Sequence, residues 1–125
     1  MREVFSEAQA VEPSPDETKL AISNGSEIWV LYLQDSQEQP YHKTGDKVFL
    51  TRLSKTIDNL SWINSHYLVF SAGTDIQTIE IDERDAINTA KVAQFPDPTL
   101  FWGETSKALA VLSQGNLYVS EVFIQ

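Results

Sequence analysis

The stretch SPDETKLAISNGSEIWVLYL, residues 14–33, decides how this chain folds. It holds two apolar-alternating runs, KLAIS (19–23) and EIWVLYL (27–33), separated by the turn-forming SNGS. Alternation with period two over such short runs is the pattern of strands. Gly25 between them tolerates the positive φ of a hairpin turn. The Ser-Pro-Asp ahead of them admits two readings. Ser14 or Asp16 could cap a helix over DETKLAIS, or Pro15 could preset φ for a tight turn while Asp16 accepts hydrogen bonds from amides two residues on. The turn is favoured, because the same place in the rest of the chain leads into β-branched and aromatic strands.

The hairpin recurs. With Leu20 placed over Leu68 and Leu109, and no gaps, Ile22 falls over Phe70 and Val111, Ile28 over Ile76 and Leu117, and Leu33 over Ile81 and Val122. The offsets are 48 and 41 residues, close to the roughly 40–50 residues of a four-stranded propeller blade. The longer one accommodates the polar stretch QDSQEQPYHKTGD (34–46), which reads as a surface loop. Other strand candidates are DKVFLTRL (46–53), NLSW (59–62), YLVFSA (67–72), IQTIEID (76–82), AKVAQF (90–95), TLFW (99–102), ALAVLS (108–113) and NLYVSEVFI (116–124). Helical periodicity is nearly absent, so the chain reads as all-β, each blade running strand a, turn, strand b, Gly turn, strand c, loop, strand d. Strand alternation predicts a core of Leu20, Ile22, Ile28, Val30, Leu68, Phe70, Ile76, Leu109, Val111 and Leu117.

SPDETKLAISNGSEIWVLYL resembles the blade repeat of TolB-like WD-repeat propellers, whose pattern is roughly W-S-P-D-G-x-x-L-x-F followed by a turn and an I-W/Y-V-x-D-L strand. Ser14, Pro15, Asp16, Leu20, Ile28, Trp29, Val30 and Leu33 match it. The second and third copies keep Trp62 and Trp102 at the end of strand a, where the first has Pro13. They replace Ser-Pro-Asp by Ile63, Asn64 and Ser65 and by Gly103, Glu104 and Thr105. Glu17 stands where the family pattern has glycine. The resemblance covers nearly the whole chain and implies a propeller serving as a binding platform, docking module or gate.

Composition narrows the function classes. The 125 residues, 42% of them apolar, suffice for one domain with a core. A formal charge of -9 repels nucleic-acid phosphates and anionic lipid heads. The chain has no cysteine, hence no thiolate metal site or disulfide. MREVFSEAQA lacks the apolar core of a secretory signal, and no apolar run approaches the roughly 18 residues that span a bilayer. Neither nucleic acid nor membrane insertion is expected, and the chain as given reads as soluble.

No serine sits in a nucleophile elbow and no glycine-rich loop precedes a helix, so a non-enzymatic binding or scaffolding module is expected, without cofactor. His42 and His66 lack a ligand at metal spacing and read as a loop and a turn residue. Asp82, Glu83 and Asp85 could hold calcium, but no calcium-loop pattern surrounds them, and they read as a solvated c-to-d loop. Loops at one mouth of the ring are the expected platform for a basic or neutral partner, with Asp16, Asn64 and Glu104 in the a-to-b turns and Asp82, Glu83 and Asp85 in the c-to-d loop as candidate partner-binding residues. The aromatics Trp29, Trp62, Trp102, Tyr32, Tyr67 and Tyr118 carry a second reading. Recurring tryptophans are expected to pack between blades, but they also stack on sugars, which makes a carbohydrate-binding, lectin-like propeller the alternative.

Residues 1–125 thus read as one half-propeller domain. Blade one occupies about 12–55, blade two about 57–96 and blade three about 98–124. Propellers close with about four to eight blades, so three need others. Either a second copy completes a six-bladed homodimeric ring, or the chain is a fragment of a larger TolB-like or peptidase-associated propeller. NLYVSEVFI leaves no residues for a strand d of blade three, while residues 2–11 have the length and apolar spots of one. Exchange of residues 2–11 between two copies would complete blade three of each chain in the single closed ring and leave no open sheet edge.

Overall fold

The computed structural model describes residues 1–84 and 88–120. Among these, eleven strands form three antiparallel sheets. Sheet one contains β1 (Ala10–Pro13), β2 (Lys19–Ser23), β3 (Glu27–Tyr32) and β4 (Lys47–Arg52) in sequential order. Sheet two contains β5 (Ile57–Trp62), β6 (Tyr67–Ala72), β7 (Asp75–Glu80) and β8 (Thr89–Gln94), and sheet three β9 (Thr99–Gly103), β10 (Ala108–Ser113) and β11 (Asn116–Val119). The first strands approach one another, β1 against β5 and β5 against β9, so the sheets radiate from a common inner line as propeller blades do. The architecture is all-β and propeller-like.

Backbone detail repeats with the sequence. The β3–β4 pairing slips between Ile28 and Trp29, and the β7–β8 pairing between Ile76 and Gln77, which occupy equivalent places in the repeat. Between β10 and β11 the two-residue turn has Gln114 at φ 50° and Gly115 at φ 82°, the two positive angles that match the twist of a tight hairpin.

Two cores lie in the seams. Between sheets one and two pack Ala21, Ile28, Val30, Tyr32 and Leu50 against Leu60, Trp62, Leu68, Phe70 and Ile79. Between sheets two and three, Ile63, Val69 and Ile76 meet Leu109 and Val111, with Leu100 and Trp102 alongside. Strand alternation therefore sends both faces of sheet two inward. Of the expected core, Ile22, Ile28, Val30, Leu68, Phe70, Ile76, Leu109 and Val111 are buried and Leu20 half-buried.

Leu117 departs from expectation. It is 64% exposed, whereas Ile76 at the same blade position is 0% exposed. Ile76 is covered by sheet three, and among the described residues no further sheet covers Leu117. Phe101, Leu112 and Val119 share the face of Leu117 by register and are also exposed.

The N-terminal boundary also differs. Ala10 and Val11, read as part of the exchanged strand, lie in β1, where they pair with Ser23 and Ile22 of β2. Residues 1–9 form no strand and turn back onto sheet one. Gln9 N donates to the Ser23 carbonyl at 2.8 Å, Phe5 meets Trp29 edge-on at 6.0 Å, and Lys47 Nζ donates to the Val4 carbonyl at 2.9 Å. Apolar Phe5 finds a partner in the same chain, on a face that no second sheet covers among the described residues. Sheet three has three strands among the described residues, and residues 121–124 of the expected NLYVSEVFI strand lie outside the described residues.

Candidate functional site

The turn that opens the first hairpin is built around Asp16. Its Oδ1 accepts from Ser14 Oγ at 2.6 Å, Thr18 Oγ1 at 2.8 Å and Thr18 N at 3.1 Å, and Lys19 Nζ lies 3.4 Å from Oδ2. Partial burial opposes its charge. The bonds from Ser14 and Thr18 and the Lys19 ammonium outweigh that and hold the carboxyl well below the usual carboxylate range. Glu17 follows at φ 63°, the left-handed conformation that explains why glycine suits this place in the family pattern.

From β3, the chain leaves into residues 33–46, and this loop folds over the seam between sheets one and two. A cis Gln39–Pro40 bond lies in it. Ser36 Oγ donates to the Pro40 carbonyl and accepts from His42 N. Thr44 donates from its amide and hydroxyl to Asp35 Oδ1, which lowers the pKa of Asp35. His42 stacks on Tyr32 at 4.4 Å, with Nε2 2.7 Å from Glu83 Oε1 and Nδ1 3.4 Å from Asp46 Oδ2. One imidazole thus links sheet one to the segment after β7 in sheet two.

Burial raises the Tyr32 phenol to about 12, helped by the negative charges of Glu83, Asp82 and Asp46. Arg84 donates from Nε and Nη2 to Asp82, holding that carboxyl at about 2, and reaches Gln39 Oε1 from Nη1. Beneath this cover lies a pocket of about 260 Å³, whose wall includes Asp16, Lys19, Tyr32, Gln34–Pro40, His66, Glu80 and Asp82. Five carboxylates line it, of which Asp16 is paired with Lys19 and Asp82 with Arg84, leaving those of Asp35, Glu38 and Glu80. The pocket suits a cationic or hydrogen-bonding guest.

A shallower concavity of about 470 Å³ lies where the first strands converge, between Glu12, Pro13, Pro15, Ser61, Trp62, Trp102 and Glu104. Trp62 is buried and its Nε1 donates to the Glu12 carbonyl at 2.7 Å, so it fastens sheet to sheet and has no open ring face for a sugar.

The residues expected to bind a partner are therefore distributed. Asp16 and Asp82 meet in the first pocket, and Glu104 lies in the second concavity with Lys107 Nζ 3.9 Å away. Asn64 Oδ1 accepts from the amides of His66 and Tyr67, stabilising its own turn. Glu83 is held by His42, and Asp85 lies outside the described residues. Sequence reasoning missed buried Lys19, the stacking of His42 on Tyr32, and the Gln34–Pro40 wall. The signal available was the extra length of the first repeat, which places its polar loop at the sheet seam. Among the described residues no group of three or more His, Asp or Glu is arranged to hold a metal ion.

The fold and these sites define a propeller-like run of radial antiparallel sheets with a polar loop over the first seam. No protein-family model matches the sequence, and no curated protein does. Among solved structures, the chain is similar over 94% of its length to a chain in a Saccharomyces cerevisiae complex of a Dbp5 variant with Nup159, a Gle1 variant, IP6 and ADP, with a TM-score of 0.60 and 17% identity. It spans 31% of that solved chain. Hsv2 of Kluyveromyces marxianus aligns with 92% of this chain and 51% of its own at a TM-score of 0.35 and 11% identity. The first likeness is one of fold.

Proposed function

We propose that this chain is a non-enzymatic binding and scaffolding module of TolB-like, WD-repeat type, supplying three blades of a ring that a second copy completes to six. The observation that carries this reading is the apolar outer face of sheet three. Phe101, Leu112, Leu117 and Val119 are exposed where Val69 and Ile76, on the equivalent face of sheet two, are fully buried against the next sheet. A contiguous apolar patch of this kind on a rigid sheet marks an interaction surface. The pocket over the first seam is its ligand-binding feature, and the excess of carboxylates there favours a basic or neutral partner segment, held more weakly as salt rises.

A second reading has its own support. The chain aligns with 31% of a longer solved chain, as a run of blades inside one larger ring would. In that case further blades of one polypeptide cover the same face. Sedimentation equilibrium separates the two. A dimer mass supports closure by a second copy, and a monomer at every concentration overturns it in favour of the larger ring.

A further inference from the structure

Sheet one has an outer face of its own, turned away from sheet two. By register it carries Val11, Leu20, Ile22, Trp29, Leu31 and Phe49. These match the faces by which sheets two and three receive the preceding sheet, since Leu20 and Ile22 occupy the places of Leu68 and Phe70 and of Leu109 and Val111. Ile22 and Leu31 are nevertheless buried, although among the described residues no sheet lies on that side. The contacts on it come from the N-terminal segment. Phe5 packs against Trp29, which itself packs on Phe49 at 5.4 Å, and Lys47 holds the Val4 carbonyl.

We infer that residues 1–9 are a self-made cover over the receiving face of sheet one, and that the Phe101, Leu112, Leu117 and Val119 face of a second copy displaces them. This rests on the ring-closing reading above. The occupant is a second copy because the two end faces continue, in residue type and register, the interface that already joins sheet one to sheet two and sheet two to sheet three. Its donor side is the exposed apolar face of sheet three, and its acceptor side is the face the cover hides. Two such contacts related by a two-fold axis close a ring. The displaced segment is then free to pair with the outer edge of β11, which has no strand partner among the described residues. One movement uncovers a face and supplies a strand. Self-association is therefore held back by the chain's own first residues.

The test is sedimentation equilibrium on the full chain and three variants, with circular dichroism to confirm folding. Leu117→Asp places a charge at the centre of the donor face, on a side chain already 64% exposed, and should weaken the dimer by at least about tenfold without altering the monomer. Phe5→Ala removes one edge-to-face ring contact from the cover and should tighten the dimer by roughly two- to tenfold. Lys47→Ala, which frees the Val4 carbonyl, should act in the same direction and serves if Phe5→Ala fails to fold. A dimer that the cover variants weaken or leave unchanged overturns this inference while the ring reading survives, and a dimer indifferent to Leu117→Asp overturns both. Monomer throughout, in the cover variants as well, overturns both.

Discussion

Trp62 Nε1 donates a hydrogen bond of 2.7 Å to the carbonyl of Glu12, tying the last residue of β5 to the first strand of the neighbouring sheet. The indole is 5% exposed, so its loss is not compensated by water. Trp62→Phe leaves a ring in the core and strands the carbonyl, which should cost about 1–3 kcal/mol. Urea unfolding measures it, and an unchanged midpoint would refute the inter-sheet role.

Ile76 and Leu117 occupy the same place in successive repeats, but Ile76 has a further strand beside it and a sheet beyond it, whereas among the described residues Leu117 has neither. Ile76→Ala should cost about 2–5 kcal/mol through lost burial and a cavity. Leu117→Ala in the monomer should change stability by less than about 0.5 kcal/mol. Equal costs, measured by chemical denaturation at concentrations where the chain is monomeric, would mean that the outer face of sheet three is covered within the single chain.

Glu17 holds φ at 63° in the β1–β2 turn. A side chain in the left-handed region costs about 1–2 kcal/mol, and glycine's greater freedom in the unfolded chain returns about 0.4–1 kcal/mol of that. Glu17→Gly should therefore stabilise the protein by up to about 1.6 kcal/mol, and Glu17→Val should destabilise it. Thermal melts of the pair settle the sign.

Acid should unfold this protein by way of its turn carboxylates. Asp82 is held at about 2 by Arg84, below its ordinary 3.8, and Asp16 is lowered further by Ser14, Thr18 and Lys19 despite partial burial. A carboxyl with a depressed folded pKa binds its proton more tightly in the unfolded chain. Its stabilisation is complete above about 3.8 and is lost as the pH falls through about 2 and below. A double Asp16→Asn, Asp82→Asn variant should be less stable at neutral pH and show a flatter acid limb in denaturation midpoints from pH 6 to 2. An acid limb as steep as the parent's would place the titrating groups elsewhere.

His42 joins loop and sheet through Tyr32 and Glu83. His42→Ala should free the 34–46 loop, so that amide exchange at Ser36 and His42, bonded to each other's loop positions, accelerates while that of β6 stays slow. Uniform acceleration would instead mean that the whole fold is weakened.

Strand identity and repeat order were legible in the sequence because alternation and turn residues act locally: KLAIS and EIWVLYL each carry their own period, and three copies agree on it. The departure at Glu17 was legible too, as a glycine place without glycine. Burial was not, because it depends on what lies across the face. Ile76 and Leu117 have the same sequence pattern around them, and the fourth strand and sheet three beside Ile76 are what separate them. The pocket was hidden for a related reason: Lys19, Tyr32, His66 and Asp82 are distant in sequence and meet only when the sheets stack and the 34–46 loop crosses the seam. The N-terminal segment has the composition of a strand, yet lies on Trp29 as an irregular cover. Period-two patterning determines which side chains share a face; the tertiary stack decides which faces find a neighbour, since burial free energy arises only where two surfaces meet and exclude water.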